Sequence, residues 1–290
     1  MTDTIVELQD IYDQLQSFVE KSNKDKVIKS LKKLETIANA VSKSWSGSWL
    51  GYQSRIYYRD FTPVPAGAHF SSEWGTFQNF SRDTRGDWVE YQFDYVKEYI
   101  STKAGNPDME QANSIYKTGR DLFEEKFNLL LSIFETYRLQ RKDTFIDNLI
   151  EKVKAISIHS DSDWIEIVRP HGQIMSRDSL AISQGLLTPP HILVLAEIFK
   201  IRSPFHACES LSKHIKTAIS HIERQVKETR RMERVGTNIF IGHGRSLLWK
   251  DLKDFVQDRL QLPWDEFNRI PVAGVTNIAR LSEMLDNAVI

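Results

Sequence analysis

One cysteine in 290 residues, Cys208, excludes an internal disulfide and any cysteine-based zinc cluster, and fits a reducing compartment. No Cys/His/Asn signature surrounds it, so it reads as a small core residue and not as a nucleophile. Long apolar runs are also missing, and the opening MTDTIVELQD has neither the basic nor the apolar region of a signal peptide. The expectation is a cytoplasmic protein with no membrane partner. Charge of neither sign dominates: 38 basic and 39 acidic residues leave a net charge of −1, so an anion site must be local. Repeats and low-complexity tracts are absent, and metal-ligand patterns are weak. His206, His214 and His221 miss the i, i+4 spacing of a zinc pair. His159 with Asp161-Ser-Asp163 lacks EF-hand spacing and reads as a polar turn before Trp164-Ile-Glu-Ile-Val168, an alternating run suited to a short strand. No metal site is expected.

What is present supports a core. With 41% hydrophobic residues, the chain is long enough for one large or two ordinary domains. The first 236 residues read as mostly helical. Leu8, Tyr12, Leu15 and Val19, then Val27, Leu31, Leu34, Ala38 and Val41, follow helical spacing, with Ser22-Asn23 as the turn of a hairpin. Phe123, Phe127, Leu130, Phe134 and Tyr137 form a second stripe, which Phe145, Leu149 and Val153 continue, with Pro107 near its start. A third run begins at Leu211 and Ile215 and extends to about Arg234, and Thr188-Pro-Pro190 is a helix start or a rigid turn. Between the first two blocks, Trp45 to Trp88 holds four of the seven tryptophans among glycines and prolines. That mixture excludes a continuous helix and suggests an ordered loop packed as a minor core, or else an aromatic ligand platform. From Lys213 to Arg234, seven basic residues face three glutamates, a solvated helical face or, in the sharper reading, a track for a phosphate backbone. The expected division is a helical N-terminal domain over 1–210, a helical linker over 211–236, and a partial α/β domain over 237–290.

The last region carries the chemistry. In Thr237-Asn-Ile-Phe-Ile-Gly-His-Gly-Arg-Ser246, the run Ile239 to Ile241 predicts a strand buried on both faces of a parallel sheet. Gly242 and Gly244 bracket His243 and allow backbone conformations closed to other residues. Ser246 can cap a following helix, whose Leu248, Leu252, Phe255, Val256 and Leu260 predict one apolar stripe. A helix N-terminus with Arg245 beside it suits phosphate. G-H-G-R is neither a P-loop nor a dinucleotide fingerprint, so a plain tight turn remains the alternative.

Together with Leu262-Pro-Trp-Asp-Glu-Phe-Asn268 and Pro271-Val-Ala-Gly-Val-Thr-Asn-Ile-Ala-Arg-Leu-Ser-Glu-Met-Leu285, this stretch resembles the nucleotide-binding, TIR-like family of bacteria. The resemblance covers about the last fifth of the chain, and the Trp-rich segment resembles regions attached to such domains. It implies the first strand-helix units of a flavodoxin-like α/β domain, with NAD as ligand or substrate and no resident cofactor. Related domains cleave NAD at the nicotinamide glycosidic bond, often in antiphage defence. By resemblance, Gly242, His243, Gly244, Arg245 and Ser246 line the nucleotide pocket and Trp249 stacks on a ring. The loop Ala273-Gly274-Val275-Thr276 would shape the pocket and the contact with a neighbouring copy, with Thr276 or Asn277 capping the next helix. The family's catalytic glutamate lies in a motif like N-V-x-H-E-A-G, which this sequence lacks. Ala288-Val-Ile290 reads as the start of a third strand, so a truncated and inactive chain is expected. Glu266 and Glu283 read as solvated surface residues. Three functions follow in order: a defence effector whose helical region senses, through a sensor partner, or assembles; a nucleotide-binding module that self-associates without catalysis; and, last, a nucleic-acid binder.

Overall fold

Asp25 ends one helix and begins the next in the computed structural model, which describes residues 2–77, 83–172, 174–234, 239–245, 247–267, 276–286 and 288. Helix α1 (Thr2–Lys24) runs through Ser22-Asn23, so the turn expected there does not form. The break comes two residues later, where the Asp25 carboxylate accepts from the Val27 N–H at 2.7 Å and so starts α2 (Lys26–Ser42). Both helices bury the predicted spacing: Leu8, Ile11 and Leu15 on one, Leu31, Leu34, Ala38 and Val41 on the other.

The described chain is mostly helical, with ten α-helices and two two-stranded sheets among the described residues. It forms two compact units, Glu7–Lys216 and Met1–Val6 with Thr217–Ile290. No helix among the described residues is long and apolar enough to cross a membrane.

In the first unit, α3 (Phe93–Ala104) stops at Gly105, whose φ of 91° suits only glycine at low cost. Helix α4 (Met109–Gln140) is capped by Asp108 and buries Phe123, Leu130, Phe134 and Tyr137. The stripe does not continue unbroken, because Asp143 caps α5 (Thr144–Lys154) through the Phe145 and Ile146 N–H groups and resets the helical phase. Phe145 is consequently 41% exposed, while Ile146, Leu149, Ile150 and Val153 are buried.

The strand expected at Trp164–Val168 is instead helix α6 (Asp161–Val168). Ser160 Oγ accepts from the Asp163 N–H at 3.1 Å, and the Asp163 carboxylate accepts from the Ser160 N–H at 2.7 Å. This reciprocal capping box, with two acids in a first helical turn, outweighs the local alternation of apolar residues. Ser160→Ala is expected to cost about 1 kcal/mol, read as a lower urea midpoint.

Helix α7 (Ser179–Gln184) follows, and α8 (Pro190–Arg234) starts at the second proline of the predicted Pro-Pro pair, with Pro204 inside it. The main core packs α2, α3 and α8 around Tyr57 and Phe61. The Trp-rich segment forms the second, smaller core: strand β1 (Ile56–Tyr58) pairs antiparallel with β2 (Trp88–Glu90), and Leu50, Tyr52, Ile56, Phe70 and Ala181 close together with Trp88 against them. Cys208 is fully buried, and burial pushes its thiol up to about 12, which leaves it un-ionised and inert at neutral pH.

In the second unit, β3 (Ile239–Phe240) pairs in parallel with β4 (Trp264–Asp265), Ile239 opposite Trp264 and Phe240 opposite Asp265. Backbone bonds from Ile239 N–H to Pro263 and from Ile241 N–H to Asp265 extend the ladder. Ile239 and Phe240 are half-buried and only Ile241 is fully so, unlike the doubly buried strand expected. The long helix predicted up to Leu260 is shorter: α9 (Trp249–Asp254) passes into a π-helical turn, Phe255–Arg259. Its apolar stripe is open, with Leu248 75% and Leu252 and Phe255 each 50% exposed, and Val256 alone of the five predicted positions buried. The π turn widens the helical period, which rotates Leu260 off the line the 3.6-residue spacing assumed. Helix α10 (Asn277–Asp286) closes the described part, capped by Thr276 Oγ1, which accepts from the Ala279 N–H at 3.3 Å.

Candidate functional site

Parallel pairing of β3 and β4 places the residues that leave each strand side by side. Ile241 and Gly242 follow β3, Glu266 and Phe267 follow β4, and all four line a cavity of about 460 Å³. His243 closes it on one side and Asn277, Ile278 and Leu281 of α10 on another. The carboxyl ends of parallel strands are where open α/β sheets take their ligands, because the diverging loops leave a crevice there.

His243 is held from three directions. Its Nδ1–H donates to the Gly244 carbonyl at 3.0 Å, its Nε2 lies 2.8 Å from Glu266 Oε2, and its ring stacks on the Trp249 indole at 4.2 Å and 8°. A carbonyl can only accept, so Nδ1 carries a proton; a carboxylate on Nε2 then favours a second one. The bond to Glu266, and after it the bond to Gly244, accordingly hold the His243 pKa above its ordinary value. The site therefore favours the imidazolium form of His243 beside a carboxylate.

Glu266 corrects an expectation. It is 9% exposed and not solvated, because the His243 ring supplies the partner that makes burying a carboxylate tolerable. Glu283 is exposed, as its sequence context suggested. Trp249 stacks on the His243 ring, whereas a ligand ring was expected there. Neither Gly242 nor Gly244 lies in the left-handed region, so the glycines are not needed here for backbone angles. A Cβ on Gly244 would meet nothing within 4 Å, which leaves the backbone beside His243 open to approach. Arg245 is exposed in the same loop and is not part of the cavity lining. Thr276 sits immediately before Asn277 as the α10 cap. Ser246, Gly274 with the rest of 273–275, and Val289-Ile290 lie outside the described residues.

Sequence reasoning missed Glu266, Phe267, Asn277, Ile278 and Leu281 as cavity residues. No sequence signal marks Glu266: its place beside Ile241, each one residue past its strand, follows from the parallel pairing of β3 and β4. No family model, curated protein or solved structure matches this chain.

Proposed function

We propose that residues 239–286 are the binding part of a TIR-like, flavodoxin-type domain, and that the cavity between β3, β4 and α10 takes a nucleotide, with NAD the foremost candidate. The observation that carries this reading is the His243–Glu266 pair at the carboxyl ends of two parallel strands, on a cavity of about 460 Å³. Phe267, Ile278 and Leu281 offer an apolar wall to a base, and the Glu266 carboxylate can accept from ribose hydroxyls. His243 and Arg245 supply the positive charge that phosphate needs. The resemblance adds the wider reading, a defence effector in which NAD is cleaved and the helical unit senses or assembles. The glutamate motif that would perform the cleavage is not among these 290 residues, so the chain is expected to bind NAD without releasing nicotinamide.

Calorimetric titration with NAD and ADP-ribose checks this. Arg245→Ala and His243→Ala are each expected to weaken binding about tenfold or more, in line with the loss of one charge-assisted contact to phosphate. The imidazolium is lost as pH rises through the raised His243 pKa, so affinity should fall toward alkaline pH in the parent and stay flatter in His243→Ala. Binding that both substitutions leave intact, or nicotinamide release abolished by Arg245→Ala, would overturn the reading.

Self-association is the second reading, favoured by the open apolar side chains of this unit, among them Leu248 at 75% and Ile278 at 84% exposure. Light scattering over a concentration series, with and without NAD, separates a binding module that assembles from one that stays monomeric.

A further inference from the structure

A second cavity, of about 450 Å³, lies in the helical unit, between the chain linking α5 to α6, α6 itself and the middle of α8. One wall is aromatic: Trp164 of α6 stacks on Phe199 of α8 at 3.9 Å and 28°. The rim is polar, with Ser157 and His159 on one side and His206 and Ser210 on the other. The walls are pinned to each other. Ser203 Oγ of α8 accepts from the His159 N–H at 2.6 Å, and the capping box of Ser160 and Asp163 sets where Trp164 projects from α6.

The chemistry of this lining is selective. Among the described residues that form it, none is Asp, Glu, Lys or Arg. A phosphate or other strong anion would find no fixed cation there. Hydroxyls and imidazoles each donate and accept, which matches a neutral ring with both kinds of group on its edge. The aromatic wall adds a surface on which a flat ring stacks. The volume falls in the range of small-molecule sites.

We propose that this cavity is a binding site for a nucleobase presented as a nucleoside, with the base against Trp164 and Phe199 and its edge on His159, His206 and the two serines. The site is separate from the His243–Glu266 cavity and does not depend on the reading given to that one. It assigns the helical unit a ligand of its own, recognised by stacking and neutral hydrogen bonds and not by charge.

Titration of the full 290-residue protein with adenosine, guanosine, cytidine and uridine, and with ribose as the ring-free control, tests this by calorimetry. At least one nucleoside is expected to bind and ribose is not. Trp164→Leu should weaken the nucleoside about tenfold or more, the typical consequence of losing one base-aromatic stack. His206 is exposed on α8, so His206→Ala spares the core and should weaken binding about threefold even if Trp164→Leu proves unstable, which circular dichroism would show. Absence of binding by all four nucleosides at millimolar concentration would overturn the proposal. So would nucleoside binding unchanged in His206→Ala and in a folded Trp164→Leu, or ribose binding as well as the nucleosides.

Discussion

Lowering the pH from about 7 to about 4 is expected to remove roughly 3 kcal/mol of stability through one imidazole, that of His191. His191 is the second residue of α8 and 1% exposed, with the Trp45 ring edge-on at 5.0 Å and Tyr57 Oη 2.8 Å from its Nδ1. Burial pushes the Tyr57 phenol well above its ordinary value, so its hydroxyl keeps its proton. The tyrosine proton is then free to be given to Nδ1, which fixes a neutral imidazole. Burial lowers the His191 pKa from 6.5 to about 3. Below pH 6.5 the unfolded chain takes up a proton that the native protein refuses, so the unfolded state gains with every unit of acidification until about pH 3. Urea unfolding at a series of pH values reads this slope directly. In His191→Asn, which keeps an acceptor close to the Nδ1 position, the slope between about pH 6.5 and 4 should flatten by roughly 1.4 kcal/mol per unit. Burial, and after it Lys152, also lowers the His214 pKa, while the His243 pKa is raised and pulls the other way, but both are present in parent and variant and cancel in the difference. An identical slope in the two proteins would rule the imidazole out as the source.

Asp178→Ala is expected to cost about 4 kcal/mol, because it strands three donors at once. The carboxylate is fully buried, caps α7 through the Ala181 N–H at 3.1 Å, and accepts from Tyr52 Oη at 2.5 Å and Gln53 Nε2 at 2.9 Å. Tyr52 is 6% and Gln53 0% exposed, so water cannot readily replace the lost acceptor. Burial by itself would push the Asp178 carboxyl up; the bonds from Tyr52, Gln53 and the backbone of Ala181 and Leu180 outweigh it and hold the carboxyl below its ordinary range. The stability it adds is therefore complete above its unfolded value and is lost as pH falls through the lower folded one. Gly75 offers an independent route to the same network. It sits at φ +63°, and a Cβ there would collide with both Asp178 Oδ2 and Tyr52 Oη. Gly75→Ala should likewise destabilise by about 3 kcal/mol, from backbone strain and displaced acceptors together. A drop in urea midpoint with unchanged slope would mark both effects as losses of native stability, and a change under about 1 kcal/mol in Asp178→Ala would contradict the role given to its carboxylate.

Helix positions were legible wherever a residue's role is local. The stripes of α2 and α4 lie where their spacing placed them, because a buried face repeats every 3.6 residues whatever it packs against. Capping was readable too, yet it had to be weighed against pattern. Ser160 and Asp163 decided α6 against the alternation of Trp164 to Val168, Asp25 moved the expected break by two residues, and Asp143 introduced one where the stripe was expected to continue. In the candidate site, Gly242 and His243 were named from their place after an apolar run, and both line the cavity. Glu266 was assigned to the surface because the burial habit of glutamate is an average, and nothing local in Trp264-Asp-Glu-Phe267 announces a histidine 23 residues away.

By itself, then, the sequence determined the mostly helical character of the chain, the faces that α2 and α4 bury and the inert setting of Cys208, since these follow from periodicity and composition. Only the tertiary structure decided that β3 and β4 pair in parallel, that His243 meets Glu266 and Trp249, and that Tyr57 reaches His191 across 134 residues. Such contacts depend on how separate elements pack, and the interaction that settles them, a shared proton or a stacked ring, exists only once both partners have been brought within a few ångströms.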